Sequence, residues 1–233
     1  MTMIKTNESG RSMIEMLGVL AIIGVLSVGG IAGYSKAMNK FKTNKVADNV
    51  SMLVANIKTM YAQQSSFNGL TKSSAVSMGL VPDELVTTYP SGNTDNAVLN
   101  NSFNGTVLIN ASNSVGATAA SNADDALSFN IVFNGLSKEA CITLATNDWG
   151  SGYSSGLIGM LVSNVELAVT DDGKDSNSVV QMGCKGTTVS GATTPQVACP
   201  GGENTALPMP VAQAAAACKC DNGNTCSILW KYY

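Results

Sequence analysis

Residues 10–34 read GRSMIEMLGVLAIIGVLSVGGIAGY, and from Met13 onward only Glu15 and Ser27 interrupt the apolar and small side chains. The 18 residues from Met16 to Gly33, at about 1.5 Å each, are enough to cross a hydrocarbon core of roughly 30 Å. A secretory signal peptide is the competing reading, but its apolar region would be shorter and would close on an A-x-A-like cleavage site. Glu15 is the odd residue. A lone carboxylate costs about 2.5–3.5 kcal/mol at the centre of a spanning helix and less near its end. Either Glu15 sits at headgroup level beside Arg11, one turn away, or it awaits a positive partner inside an assembly.

The periodicity runs on past the span. Phe41, Val46, Val50, Leu53, Val54, Ile57, Met60 and Tyr61 recur at steps of three and four, which predicts an amphipathic helix. Lys45, Asp48, Asn49, Asn56 and Lys58 fall between them, on the expected wet face. Phe67-Asn68-Gly69 is a stop signal. One helix over Met13–Ser66 would be roughly 80 Å long, apolar all round in its first half and one-sided in its second. A coiled-coil seam is the rival reading of the stripe, but strict heptads are not sustained.

The remainder is rich in Ser, Thr, Asn and Gly. Thr71–Met78 reads as a short helix, and Thr106–Ala111 (TVLINA) and Leu127–Phe133 (LSFNIVF) as strands, with a loop of small residues from Ser112 to Asp125 between them. Ser137 is a candidate N-cap for a helix over Lys138–Thr146, and Val179–Met182 and Ser227–Tyr233 read as further strands. The fold class is therefore α+β: one very long helix, then an antiparallel sheet.

Composition narrows the function. Of 233 residues 12% are charged and 45% hydrophobic, the net charge is −3, and there is no histidine. That removes Ser-His-Asp and Cys-His nucleophiles, His-ligated metals and the commonest general base, and leaves no basic field for nucleic acid. The glycine-rich run Gly150–Gly156 has no lysine to make a phosphate loop, and no paired catalytic carboxylates or nucleophile elbow occur. The acidic cluster Asp171–Asn177 lacks the glutamate and glycine spacing of an EF-hand, so a solvated turn is expected rather than calcium. No enzyme activity and no cofactor are expected; a membrane-anchored enzyme is the weakest of the readings.

At Gly10-Arg11-Ser12-Met13-Ile14-Glu15-Met16-Leu17 the sequence resembles the processing motif of type IV prepilins. The resemblance implies a leader over 1–10, cut between Gly10 and Arg11 by an inner-membrane prepilin peptidase, and N-methylation of Arg11. It also implies that Glu15, the fifth mature residue, meets the terminal amine of a neighbouring subunit. The first mature residue, usually apolar in that family, is Arg11 here. The head resembles the larger type IVb-like and conjugative thin-pilus (PilS-like) prepilins. The carriers are SFNIVFNGLSKEACITLAT (128–146), the alanine-rich Ala214–Cys218 and Ile228-Leu229-Trp230. The organisation implied is a leader (1–10), a transmembrane and assembly half-helix (11–34), an amphipathic half-helix (35–68) and a disulfide-bonded globular head (69–233).

Six cysteines allow 15 pairings, and spacing does not choose among them. Cys220 and Cys226 flank a turn-forming run, Asp221–Thr225, and Cys184 with Cys199 would staple the loop around Pro195. Cys141–Cys218 is the pairing the pilin resemblance implies. A zinc site on Cys218, Cys220 and Cys226 competes, but C-x-C-x₅-C lacks the usual C-x₂₋₄-C pairs, so no metal is expected. Lys36, Lys40, Lys42 and Lys45 follow the span while only Lys5 and Arg11 precede it, so counting positive charges would put the bulk in the cytoplasm. Six cysteines suit an oxidising compartment instead, and the resemblance also places the head outside.

The resemblance implies a subunit that leaves the bacterial inner membrane for an extracellular filament, with identical subunits, the peptidase and the assembly machinery as partners. Adhesion, aggregation or conjugative contact is the implied service. The alternatives are a minor pilin or type II secretion pseudopilin, and a single-pass membrane protein with a periplasmic binding domain that never polymerises.

Overall fold

A computed structural model describes residues 13–91, 96–112, 126–150, 155–168, 196–198, 207–220 and 225–233. Helix α1, Met13–Tyr61, runs 49 residues, and the glycines of its first half do not break it. It stops at Tyr61, short of the expected Ser66. Phe67 is the cause: its amide donates to the Ala126 carbonyl at 2.7 Å. Its ring packs 5.4 Å from Tyr61 and 4.8 Å from Phe129, so the chain leaves the helix to lie on the sheet.

Contacts divide the chain after Phe41 into two units. In the first, every described residue through Ala37 is exposed. In the second, Val46, Val50, Leu53 and Ile57 are wholly buried, and Thr43, Asn49 and Tyr61 nearly so. Helix α2, Lys72–Ser77, starts at a capping box: the Ser74 amide donates to Thr71 Oγ1 at 3.1 Å and the Thr71 amide to Ser74 Oγ at 2.7 Å. After a 3₁₀ turn at Asp83–Leu85, β1 (Val86–Thr88) and β2 (Val98–Leu99) form a small antiparallel pair.

The main sheet holds β3 (Val107–Ser112), β4 (Ser128–Leu136), β5 (Leu157–Ser163), β6 (Gln196–Ala198) and β7 (Cys226–Tyr232), in the order β3-β4-β7-β5-β6 and antiparallel throughout. Helix α3, Lys138–Ala145, begins at Ser137, whose hydroxyl accepts from the Ala140 amide; α4, Val211–Ala217, leads into Cys218. One sheet face (Phe129, Ile131, Phe133, Met160, Ile228, Trp230) shares a single core with the α1 stripe, Leu144 of α3 and Ala217 of α4. The other face, including Val132, Ile158, Leu161 and Leu229, is buried too. The expected loop 113–125 and strand 179–182 lie outside the described residues.

Side-chain amides tie the head together. Asn134 Nδ2 donates to Thr106 Oγ1 and to the Leu167 carbonyl, each at 3.0 Å, and its Oδ1 accepts from the Leu167 amide at 3.0 Å. Asn101 Nδ2 donates to the Asn134 carbonyl at 2.7 Å, while its Oδ1 accepts from the amides of Phe103 and Gly105. Gly105 and Gly135 lie backbone to backbone in this knot, and a Cβ on Gly105 would run into the Asn134 carbonyl. Backbone cannot yield as a side-chain tip does. We expect Gly105→Ala to destabilise the head by roughly 3 kcal/mol, as overpacking against fixed atoms does. Urea unfolding of the detergent-solubilised chain checks this; an unchanged midpoint would contradict the close approach.

Candidate functional site

Thirteen large apolar side chains between Met13 and Tyr34 are exposed, among them Met13 (85%), Ile14 (79%) and Val25 (74%). At 1.5 kcal/mol or more for burying each, they leave on the order of 20 kcal/mol of hydrophobic free energy unrealised in water. The helix is long and apolar enough to cross a membrane. Polar groups within it are met locally: Ser35 Oγ donates to the Ile31 carbonyl one turn back, at 3.0 Å. Glu15 stands in the first turn of α1, where a carboxylate suits the positive end of the helix dipole. Gly10 and Arg11 lie outside the described residues.

The second half of α1 is gripped by the head. Lys45 pairs with Glu84 at 2.8 Å, Lys42 lies over the Phe103 ring at 5.6 Å, and Asn56 Nδ2 donates to the Leu80 carbonyl at 2.8 Å. Lys58 donates to the Ser155 carbonyl at 2.8 Å and lies 5.2 and 5.7 Å from the Tyr232 and Tyr233 ring centroids. The wet face read from the sequence is thus drier than expected. Asn49, expected in solvent, is buried within the stripe, and its amide meets no hydrogen-bond partner among the described residues.

Two disulfides hold the other side of the core. Cys141, inside α3, is bonded to Cys218 at the end of α4, 77 residues away. Closing so long a loop stabilises by about 4 kcal/mol on the chain-entropy account. Cys220 is bonded to Cys226, the first residue of β7. Cys218, Cys220 and Cys226, the set weighed for zinc, are thus held in bridges, with no thiolate left to ligate. Cys184, Cys199 and the acidic cluster at 171–177 lie outside the described residues.

The sequence family described as PilS N terminal matches residues 40–194. The chain is 25% identical over 158 residues to the major structural subunit of the bundle-forming pilus of Escherichia coli O127:H6, covering 66% of this chain and 74% of that one. Among solved structures, the type IV b pilin from Salmonella typhi aligns over 78% of this chain and 93% of its own, with 16% identity and a TM-score of 0.42. TcpA, a type IV pilin from Vibrio cholerae El Tor biotype, aligns over 82% and 99%, with 15% identity and a TM-score of 0.47.

The α1–sheet contact sets a pH dependence. Burial raises the Tyr232 phenol well above its ordinary 10.0, raises the Tyr61 phenol as well, and lowers Lys58 below its ordinary 10.5. Above pH 10 the unfolded chain releases its tyrosine protons while the folded chain keeps them, so stability falls as pH rises. Lys58 acts oppositely: between its lowered value and 10.5 the unfolded chain holds the extra proton, and stability rises slightly with pH. Two phenols outweigh one amine. The thermal midpoint should drop as pH climbs past about 10.5, and Tyr232→Phe should flatten that drop; an equally steep fall in the variant would remove Tyr232 as its source.

Proposed function

The chain belongs to the PilS family of type IV pilins, and from that premise we propose that it is a structural subunit of an extracellular type IV pilus, polymerising through α1. The observation that carries this is the bare apolar half of α1, from Met13 to Tyr34. Two environments satisfy such a surface without water: lipid, and the apolar helices of other copies. The first suits a subunit held in the inner membrane, the second a subunit in a filament. The similarity to a major structural subunit supports the filament as its destination.

In this reading residues 1–10 are a leader removed between Gly10 and Arg11 by a prepilin peptidase, and Arg11 carries the new, N-methylated terminus. Glu15 then supplies the negative partner for the amine of a neighbouring copy. Within an apolar bundle that pair is poorly screened, so it sets axial register while van der Waals packing supplies cohesion. The head, poor in charge and rich in Ser, Thr and Asn, coats the filament and makes the adhesive, aggregative or conjugative contacts.

Two measurements test the reading. Glu15→Ala should leave a folded subunit in the membrane while surface filament falls steeply, since about 1.4 kcal/mol lost per subunit contact weakens each contact tenfold. Full piliation of that variant would sink the role of Glu15. Mass spectrometry of sheared surface material should find an N-terminal peptide beginning at Arg11, with one added methyl. An intact Met1, found in membranes alone, would leave an anchored domain and no pilin.

A further inference from the structure

Three stretches of the chain carry the same tripeptide, Phe-Asn-Gly: 67–69, 103–105 and 133–135, the first and last both followed by leucine. Asparagine followed by glycine is the pair most prone to cyclise on itself, because no Cβ on the second residue hinders the approach of its amide nitrogen. With the local sequence held constant, only the fold separates the three. Asn134 is buried, and its amide group is spent on Thr106 and on both backbone groups of Leu167. Asn104 is exposed, with a φ of 63°, but the amide that would attack it, that of Gly105, donates to Asn101 Oδ1 at 3.2 Å. The Gly105 carbonyl accepts from the Asn101 amide as well, and its Cα faces the Asn134 carbonyl too closely for any Cβ to fit. Asn68 differs in every respect. Both it and Gly69 are exposed, and the space where a Cβ on Gly69 would stand is open. Among the described residues, neither the Asn68 side chain nor the Gly69 amide has a hydrogen-bond partner.

We propose that Asn68 is a self-modification site, at which the folded head converts this asparagine to aspartate and isoaspartate without an enzyme. The Gly69 amide nitrogen gives its proton to hydroxide and attacks Cγ of Asn68. A C–N bond forms, ammonia leaves with a proton taken from water, and a cyclic succinimide remains. Water then opens either carbonyl of the ring. One opening leaves aspartate; the other routes the main chain through the side chain as isoaspartate. Each event consumes water, releases ammonia and adds a negative charge to a chain of net charge −3. The position gives the change its effect. Just upstream the Phe67 amide donates to the Ala126 carbonyl, and just downstream the carbonyl of buried Leu70 accepts from the Ala111 amide of β3. Isoaspartate adds a main-chain carbon between those two anchors, inside the turn that the Leu70 amide and the Phe67 carbonyl close at 3.1 Å. Ring closure at Asn134 must instead break three hydrogen bonds, and at Asn104 one, together with a shift of packed backbone. That slows Asn134 about a hundredfold and Asn104 about tenfold relative to Asn68.

The test uses the full-length chain in detergent, with no substitution. It is held in mildly alkaline buffer made with heavy-oxygen water, sampled over days and mapped peptide by peptide by mass spectrometry, with isoaspartyl methyltransferase marking the isoaspartate. A parallel sample, reduced and unfolded in guanidinium, gives the rates of the same three tripeptides without the fold. The remaining Asn-Gly pair, Asn222-Gly223, lies outside the described residues and is mapped separately. In the folded sample heavy oxygen should enter at Asn68 first, about tenfold faster than at Asn104 and about a hundredfold faster than at Asn134. In guanidinium the three rates should converge. Parity of Asn68 with Asn104 in the folded sample, or a lag behind it, would overturn the proposal. A lead of Asn68 that persisted undiminished in guanidinium would overturn it too, since the fold would then have no part in the choice of site.

Discussion

A helix that offers apolar side chains in every direction for its first half, and along one stripe for its second, cannot be satisfied by a single environment. That constraint governs α1. Between Met13 and Tyr34 the surface has no wet side, so only lipid or other apolar helices suit it. Between Val46 and Tyr61 the stripe is matched by a sheet face carrying Phe129, Ile131, Phe133, Trp230 and Tyr232. The head therefore has a core only because half of α1 belongs to it.

The grip on the lower half is as much polar as apolar. Lys58 is held by a carbonyl and two aromatic rings, and Lys45 by a carboxylate. Exposed ion pairs contribute little, but a cation over a buried ring such as that of Tyr232 is poorly screened. Away from α1, the Asn101 and Asn134 amides bind turns that a charge-poor chain would otherwise leave to water. Disulfides add covalent closure where α3, α4 and β7 converge.

Much of this was legible in the residues, and the exceptions have physical causes. The α1 stripe, the Ser137 cap of α3 and the alternation in β3 and β4 are local signals, and each marked its element to within a few residues. Strand β5 gave none: Leu157–Ser163 reads LIGMLVS and is buried along its whole length, so no alternation exists to be seen. Strands β1 and β2 are too short to carry a pattern, and their pairing depends on the turn that precedes them. Asn49 and Lys58 were misplaced for another reason. Polarity says where a side chain would rather be, while the position of the sheet decides where it goes. The apolar membrane-type run was plain from composition, whereas the bridge between Cys141 and Cys218, 77 residues apart, is a tertiary fact with no local trace.

The Asn134 knot has a consequence for how such a chain can change over time. Its hydrogen bonds join side chains to backbone across residues 101–167, and its two glycines touch through main chain alone. The frame of the head is thereby fixed from within, by a few positions where substitution is costly. Exposed serines, threonines and asparagines elsewhere carry little of that burden. A surface so weakly coupled to its scaffold is free to drift while the architecture beneath it stays where it is.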